Sequence, residues 1–154
     1  MEFARKSFLE QPYVFVEKTT DYTNIAQAMG DAFGTVFGTL AEQGITPQSM
    51  PMTIYLEMPS GSGLTFRAGA FVAAEDAAKA AAPLSADTLP AGDAMTTTHV
   101  GPYANLNQSH GALWKHLEDN GIPSAMPVWE IYVDDPDTVE PDNLRTEIHR
   151  MIAG

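Results

Sequence analysis

At 154 residues, with 44% hydrophobic and 18% charged side chains, the chain is sized for one globular domain with a core of its own. Twenty acidic against 8 basic residues give a net charge of −12, which opposes direct nucleic-acid binding, since a grip on phosphates needs clustered Lys and Arg. Zero cysteines exclude disulfides, thiol catalysis and thiolate metal sites, and no run of about 18 apolar residues spans a bilayer; with a mixed-charge start from Met1 to Glu10, the expected location is the cytoplasm, with no membrane association.

The first strand-like run is Tyr13-Val14-Phe15-Val16, which leads through Thr19 to Tyr22 into a helical pattern. That helix carries Ile25, Met29, Phe33, Val36, Phe37 and Leu40 at three-to-four spacing, an apolar stripe facing a core, and Gly44 is its stop. Gly30, Gly34 and Gly38 share one helix face, and close backbone packing is the expected compensation for their cost of roughly 1 kcal/mol each. A strand follows from Met52 to Met58-Pro59, then a Gly/Ser-rich turn and a strand over Leu64 to Val72. The Ala- and Pro-rich stretch after it reads as a partly helical connector, with a short turn at Ala77 to Ala82.

The same order then recurs. Met95 to Thr98 leads through Val100-Gly101-Pro102-Tyr103 into a helix with Leu106, His110, Leu113, Trp114 and Leu117, a stop near Gly121, a strand over Pro127 to Asp135-Pro136, and a last strand over Leu144 to Ile152. With a shift of 77, Leu40 falls on Leu117, Gly44 on Gly121, Ile54 on Ile131, Tyr55 on Tyr132, Pro59 on Pro136 and Phe71 on Ile148. The chain therefore reads as a duplicated β-α-β-β unit, with a first repeat over residues 8–73, a connector over 74–88 and a second repeat over 89–153. Antiparallel hairpins with helices on one face make an α+β domain whose uncovered face offers a cleft between the halves.

Glu130 is the residue to explain, because it is a carboxylate set among large apolar side chains of a strand: it must stay wet, find a partner or hold its proton. Strand parity puts Trp129, Ile131 and Val133 on one side, expected under the helix, and Val128, Glu130 and Tyr132 on the other, expected in the cleft. Glu147 and His149 share one face of the last strand and are candidates to join Glu130 in a polar cluster; Glu17 is a weaker one. Trp129 and Trp114 read as packing, His110 as a satisfied buried histidine, and His99 and His116 as capping or surface residues. No histidine pair has metal-ligand spacing and no nucleophile motif is present, so neither a metal nor another cofactor is expected.

Leu89-Pro90-Ala91-Gly92 before a strand, His99-Val100-Gly101-Pro102-Tyr103 before a helix, Glu130 to Pro136, and Leu144-Arg145-Thr146-Glu147-Ile148 occur in an order that resembles the gyrase-inhibitor-like small-molecule-binding domain. The same module is the effector-binding half of multidrug-responsive transcription activators. The resemblance covers essentially the whole chain, strongly over residues 89–152. It implies a pseudo-twofold pair of units enclosing an aromatic-lined cleft, with Glu130 as the strand glutamate that meets cationic ligands and Tyr103 as a cleft aromatic. Thr98 stands where some relatives carry a larger apolar residue, and His149 where an aromatic is frequent. The chain lacks a basic helix-turn-helix segment, so a freestanding binding module is expected.

The ligand set expected on these grounds is Glu130, Tyr103, Tyr132, His149, Thr98, Phe71, Tyr55 and Glu147, with Tyr55 the counterpart of Tyr132. The ligand is a hydrophobic, cationic or amphipathic small molecule, bound by a sensor or sequestering protein rather than an enzyme. Two alternatives stand beside this. Some relatives hydrolyse cyclopropanoid DNA-alkylating natural products, which would assign catalysis to Glu130 and Tyr103. The gyrase-inhibitor branch implies an acidic protein that inhibits a topoisomerase.

Overall fold

The structure of the protein, a computed structural model, describes residues 1–21, 23–57 and 63–153. Tyr22, and the expected strand end at Met58-Pro59 with the Gly/Ser turn after it, lie outside the described residues. In chain order the elements are β1 (Ala4–Phe8), β2 (Gln11–Asp21), α1 (Ile25–Gln43), β3 (Met52–Tyr55), β4 (Gly63–Phe71), α2 (Ala74–Lys79), β5 (Ser85–Leu89), β6 (Gly92–Val100), a 3-10 turn (Tyr103–Asn105), α3 (Leu106–Asp119), β7 (Ser124–Tyr132), a second 3-10 turn (Pro141–Asn143) and β8 (Arg145–Ile152).

The chain forms two units. Glu10–Pro90 makes one, and Met1–Leu9 joins the residues from Ala91 onward to make the other. In the first, the sheet order is β5-β2-β4-β3; in the second it is β1-β6-β8-β7, and every pairing is antiparallel. Each unit is thus a β-α-β-β repeat with the last strand in the middle and one further strand beside the first. This is the expected α+β architecture. The added strands are what sequence patterning did not show: β1 precedes the first repeat and pairs with β6, while the connector supplies not only the short helix α2 but also β5, which pairs with β2.

Each helix buries one stripe on its own sheet. Val36 and Leu40 of α1 pack with Val14, Ile45, Val72 and Leu84, and Ala32 with Leu64, Phe66 and Ala68. In the other unit Leu113 and Leu117 of α3 pack with Met95, Ile148 and Ile152. Gly44 and Gly121 follow the two helices in the left-handed conformation, at φ 69° and 64°, so both duplicated stops do the same work. Leu40 and Leu117 are likewise both fully buried.

The duplication does not run at one shift, however. Thr53 pairs with Ala68 in the first repeat, and Glu130 with Ile148 in the second. The third strands therefore correspond at a shift of 80, and Ala68, not Phe71, is the counterpart of Ile148. Glu130 and its partner Ile148 are 18 positions apart against 15 for Thr53 and Ala68, a gain of three that moves Phe71 to the sheet face away from α1.

The expected close packing at Gly30, Gly34 and Gly38 is not found: a Cβ added at any of the three meets nothing within 4 Å. Gly69 is the opposite case, since its Cβ would run into the Val14 carbonyl oxygen of the paired strand. Gly34→Ala should therefore raise stability by about 0.5–1 kcal/mol through helix propensity, while Gly69→Ala should lower it by about 1–3 kcal/mol through forced strand displacement. Urea denaturation of both variants measures the contrast.

Candidate functional site

Strand register decides which side chains meet. Ile148 and Ile152 pack beneath α3, so the even residues of β8 face that helix. Their partners on β7 are Val128 opposite Arg150, Glu130 opposite Ile148 and Tyr132 opposite Thr146. Glu130 and Tyr132 accordingly lie on the helix-bearing face, and Trp129 and Ile131 on the other, the reverse of the arrangement expected from hydropathy. The reason is that the helix-free face of this unit is itself apolar: Trp129 is 1% exposed, stacked on His149 at 5.0 Å and edged by Phe8 at 5.5 Å.

Glu130 is 4% exposed. Its carboxylate is held from two sides, by the Tyr132 hydroxyl donating to Oε1 at 2.8 Å and by His110 Nε2 at 2.5 Å from Oε2. Tyr103, in the 3-10 turn that leads into α3, meets Tyr132 edge to face at 5.6 Å between ring centroids. Burial raises the Tyr103 pKa, and Asp134 and Asp135 raise it further, so its phenol stays neutral beside an acidic loop. Asp134 is occupied by Arg145, which binds both of its carboxylate oxygens.

A ring proton on Nε2 lets His110 donate to Glu130 as Tyr132 does. Two donors thus meet the buried carboxylate, and Tyr103 lies edge to face on the Tyr132 ring beside it. Such an arrangement can offer a ligand cation Coulomb attraction and cation-π contact.

The structure therefore brings together Glu130, Tyr132 and Tyr103 and adds His110. Sequence reading had His110 as a satisfied buried histidine; it is satisfied by the site carboxylate itself. The signal available was its place in the i, i+4 stripe with Trp114, opposite an unexplained glutamate. Glu147, His149 and Thr98 fall on the opposite face of the sheet: Glu147 is opposite Ile131, His149 opposite Trp129 and Thr98 opposite Glu147. They form no cluster with Glu130. Phe71 and Tyr55 belong to the Glu10–Pro90 unit, where Tyr55 packs on the α1 face with Leu64 and Phe66 and Phe71 is buried on the other. Glu17 is bound by Arg67, which also reaches Asp87 and Tyr13 and lies 4.1 Å over the Phe15 ring.

Two more expectations change. His99 is not a surface residue but is 5% exposed, and Trp114 is 43% exposed, with the Arg150 guanidinium 5.0 Å over its ring. Burial pushes the Arg150 pKa down. Among the described residues, no group of three or more His, Asp or Glu is placed to hold a metal, and no helix is long and apolar enough to cross a membrane.

The family model of the GyrI-like small molecule binding domain matches residues 1–152. The chain belongs to this family. It is a small-molecule-binding domain, and solved structures agree with that fold. The C-terminal domain of EcmrR superposes with a TM-score of 0.81 at 19% identity, over 99% of this chain and 97% of that one. In the EcmrR–DNA complex, 98% of this chain covers only 57% of EcmrR, at 20% identity and a TM-score of 0.78. SAV2435 bound to tetraphenylphosphonium matches with a TM-score of 0.75 at 14% identity, over 100% of this chain and 95% of that one. A hydrolase from Listeria innocua matches with a TM-score of 0.64 at 13% identity, over 99% and 92%. No curated protein matches the sequence significantly.

His149 carries a testable consequence of its position. Burial lowers its pKa, against the opposing contact with Glu147, so the unfolded chain binds a proton more readily than the folded one. Stability is thus fully present above the ordinary imidazole value of about 6.5 and is lost as pH falls below it. His149→Phe keeps a ring on Trp129 and removes the buried Nδ1, which has no hydrogen-bond partner among the described residues. Urea midpoints at about pH 7 and about pH 5 should therefore fall less in this variant than in the wild type; equal falls would contradict the assignment.

Proposed function

We propose that the protein binds hydrophobic small-molecule cations through Glu130, with Tyr132 and Tyr103 supplying ring faces. The observation that carries this is a carboxylate 4% exposed whose two partners, His110 and Tyr132, are both able to donate while uncharged. A buried anion of this kind rejects neutral water-soluble ligands weakly but rewards a desolvated cation strongly, because the attraction grows as water is excluded. The acidic loop with Asp134 and Asp135 beside Tyr103 favours the same sign of charge. SAV2435, of the same fold, is bound to tetraphenylphosphonium, a cation whose charge is wrapped in four phenyl rings, and this supports the ligand class.

Tetraphenylphosphonium titrated by calorimetry tests it. Glu130→Gln should weaken binding at least about tenfold, a loss of ~1.4 kcal/mol, while neutral triphenylphosphine oxide should bind both proteins alike. His110→Gln, a neutral donor, should retain the cation; His110→Lys places a fixed positive charge on Glu130 and should abolish binding. Equal affinity of wild type and Glu130→Gln would remove Glu130 from recognition.

A second reading makes the same groups hydrolytic, with Glu130 as base and Tyr103 or Tyr132 as proton donor. It is favoured by the His110–Glu130–Tyr132 chain of hydrogen bonds and by the hydrolase of like fold from Listeria innocua. General acid-base assistance of this kind is worth about 10²- to 10⁴-fold. Hydrolysis of a cyclopropanoid alkylating compound should then fall by that factor in Glu130→Gln; turnover unchanged in that variant would dismiss this assignment.

A further inference from the structure

The His99 side chain joins the Pro102 backbone to the Ser109 side chain of α3, a link that the binding reading needs but does not explain. His99 Nε2 lies 3.0 Å from the Pro102 carbonyl oxygen, and Nδ1 lies 2.6 Å from Ser109 Oγ. A carbonyl only accepts, so Nε2 carries a proton and donates to it, while Nδ1 and the Ser109 hydroxyl share the second hydrogen bond. Both side chains are buried, at 5% and 3% exposed. The ring is therefore held at both nitrogens between the turn Gly101-Pro102-Tyr103 and the first turns of α3.

That turn is otherwise lightly held. Gly101 sits at φ 134°, its N–H donates to the Leu144 carbonyl, and Asn105 N–H donates to the Pro102 carbonyl. Register gives the turn its significance. His99 on β6 is opposite Thr146 on β8, which is opposite Tyr132 on β7. These three form one row across the sheet, with His99 at one end and Tyr132, the donor to Glu130, at the other. The chain leaves the row at His99 and comes back over it to set Tyr103 against Tyr132. In the other unit Lys18 is opposite Phe66, which packs with Tyr55, and Lys18 is exposed, so the second repeat alone has a buried histidine at this place.

We propose that His99 is a positioning residue of the binding site, an imidazole that clamps the Pro102 carbonyl to Ser109 of α3 and so fixes Tyr103 over Tyr132. This rests on the cation-binding reading only for its affinity arm. Replacement separates the two halves of the clamp. His99→Gln extends an N–H to the place of Nε2 and keeps the hold on Pro102; His99→Asn reaches only the place of Nδ1 and loses it. Ser109→Ala removes the other anchor and should act as a milder His99→Asn.

The test has two readouts. The Tyr103 phenol, isolated as the absorbance difference from Tyr103→Phe, should titrate nearer an ordinary tyrosine in His99→Asn and Ser109→Ala but not in His99→Gln. Tetraphenylphosphonium affinity should drop about tenfold in His99→Asn and be restored in His99→Gln. In a Tyr103→Ala background, His99→Asn should change it less than about twofold. Equal losses with and without Tyr103 would show a general packing role and overturn the proposal, as would an unchanged phenol titration in both weakened variants. Failure of every protein, wild type included, to bind tetraphenylphosphonium would instead count against the cation reading, leaving the phenol titration to decide the clamp.

Discussion

A buried carboxylate organises the second repeat. Moving an unpaired anion out of water costs several kcal/mol, so a chain that places Glu130 at 4% exposure must supply donors on the spot. They come from different elements: Tyr132 from the same strand two residues on, and His110 from α3. Helix and strand must therefore be correctly phased before the charge is accommodated. The same requirement makes the site rigid, since rotating α3 away would strand the carboxylate. Two donors leave part of its acceptor capacity available, and under the proposed function that remainder is what a ligand cation would meet.

The surrounding sheet serves this arrangement by rows. Beneath α3, Thr97, Ile148 and Glu130 form one row, and His99, Thr146 and Tyr132 the next. The first supplies the anion and an apolar floor; the second supplies its donor and, at the far end, the anchor of the turn that brings Tyr103. On the other face the stack of Phe8, Trp129 and His149 is a separate packing solution with no polar partner shared with Glu130. Alternation along β7 thus separates adjacent residues, a hydrogen-bonded polar cluster at 130 and 132 and ring packing at 129.

Much of this was legible in the sequence. The β-α-β-β order, both glycine stops and the need of Glu130 for a partner follow from periodicity, turn signals and the cost of an isolated carboxylate, and the family was readable from its punctuation. The faces were not. Hydropathy assumes that the more apolar side of a strand lies under the helix, and β7 carries Trp129 and Ile131 on the side away from it, so the rule pointed Glu130 the wrong way. Glu147 and His149 followed it into error, because their phase relative to β7 depends on the length of the β7–β8 link. A single shift of 77 could not show the three residues gained there, and so paired Ile148 with Phe71. The added strands β1 and β5 were hidden for another reason: short, mostly exposed edge strands carry little alternation, and only pairing defines them.

The two repeats differ at the inward positions that correspond to the proposed site. Thr53 occupies in β3 the place that Glu130 holds in β7, fully buried and bearing a hydroxyl that carries no charge to neutralise. Ala68 replaces Ile148, and Lys18 replaces His99. Only the tyrosine is retained, as Tyr55 against Tyr132. A symmetric pair of carboxylates would double the desolvation cost and leave two anions to be satisfied at once, whereas a single carboxylate, with its histidine and its anchored turn, confines the cost to one repeat. The other is then free to be assembled from Leu64, Phe66 and Ala68 under α1, which need no partner beyond close packing. Divergence at a handful of inward positions, with the glycine stops and strand order kept, thus gives one repeat a buried, hydrogen-bonded carboxylate and puts a threonine at its place in the other.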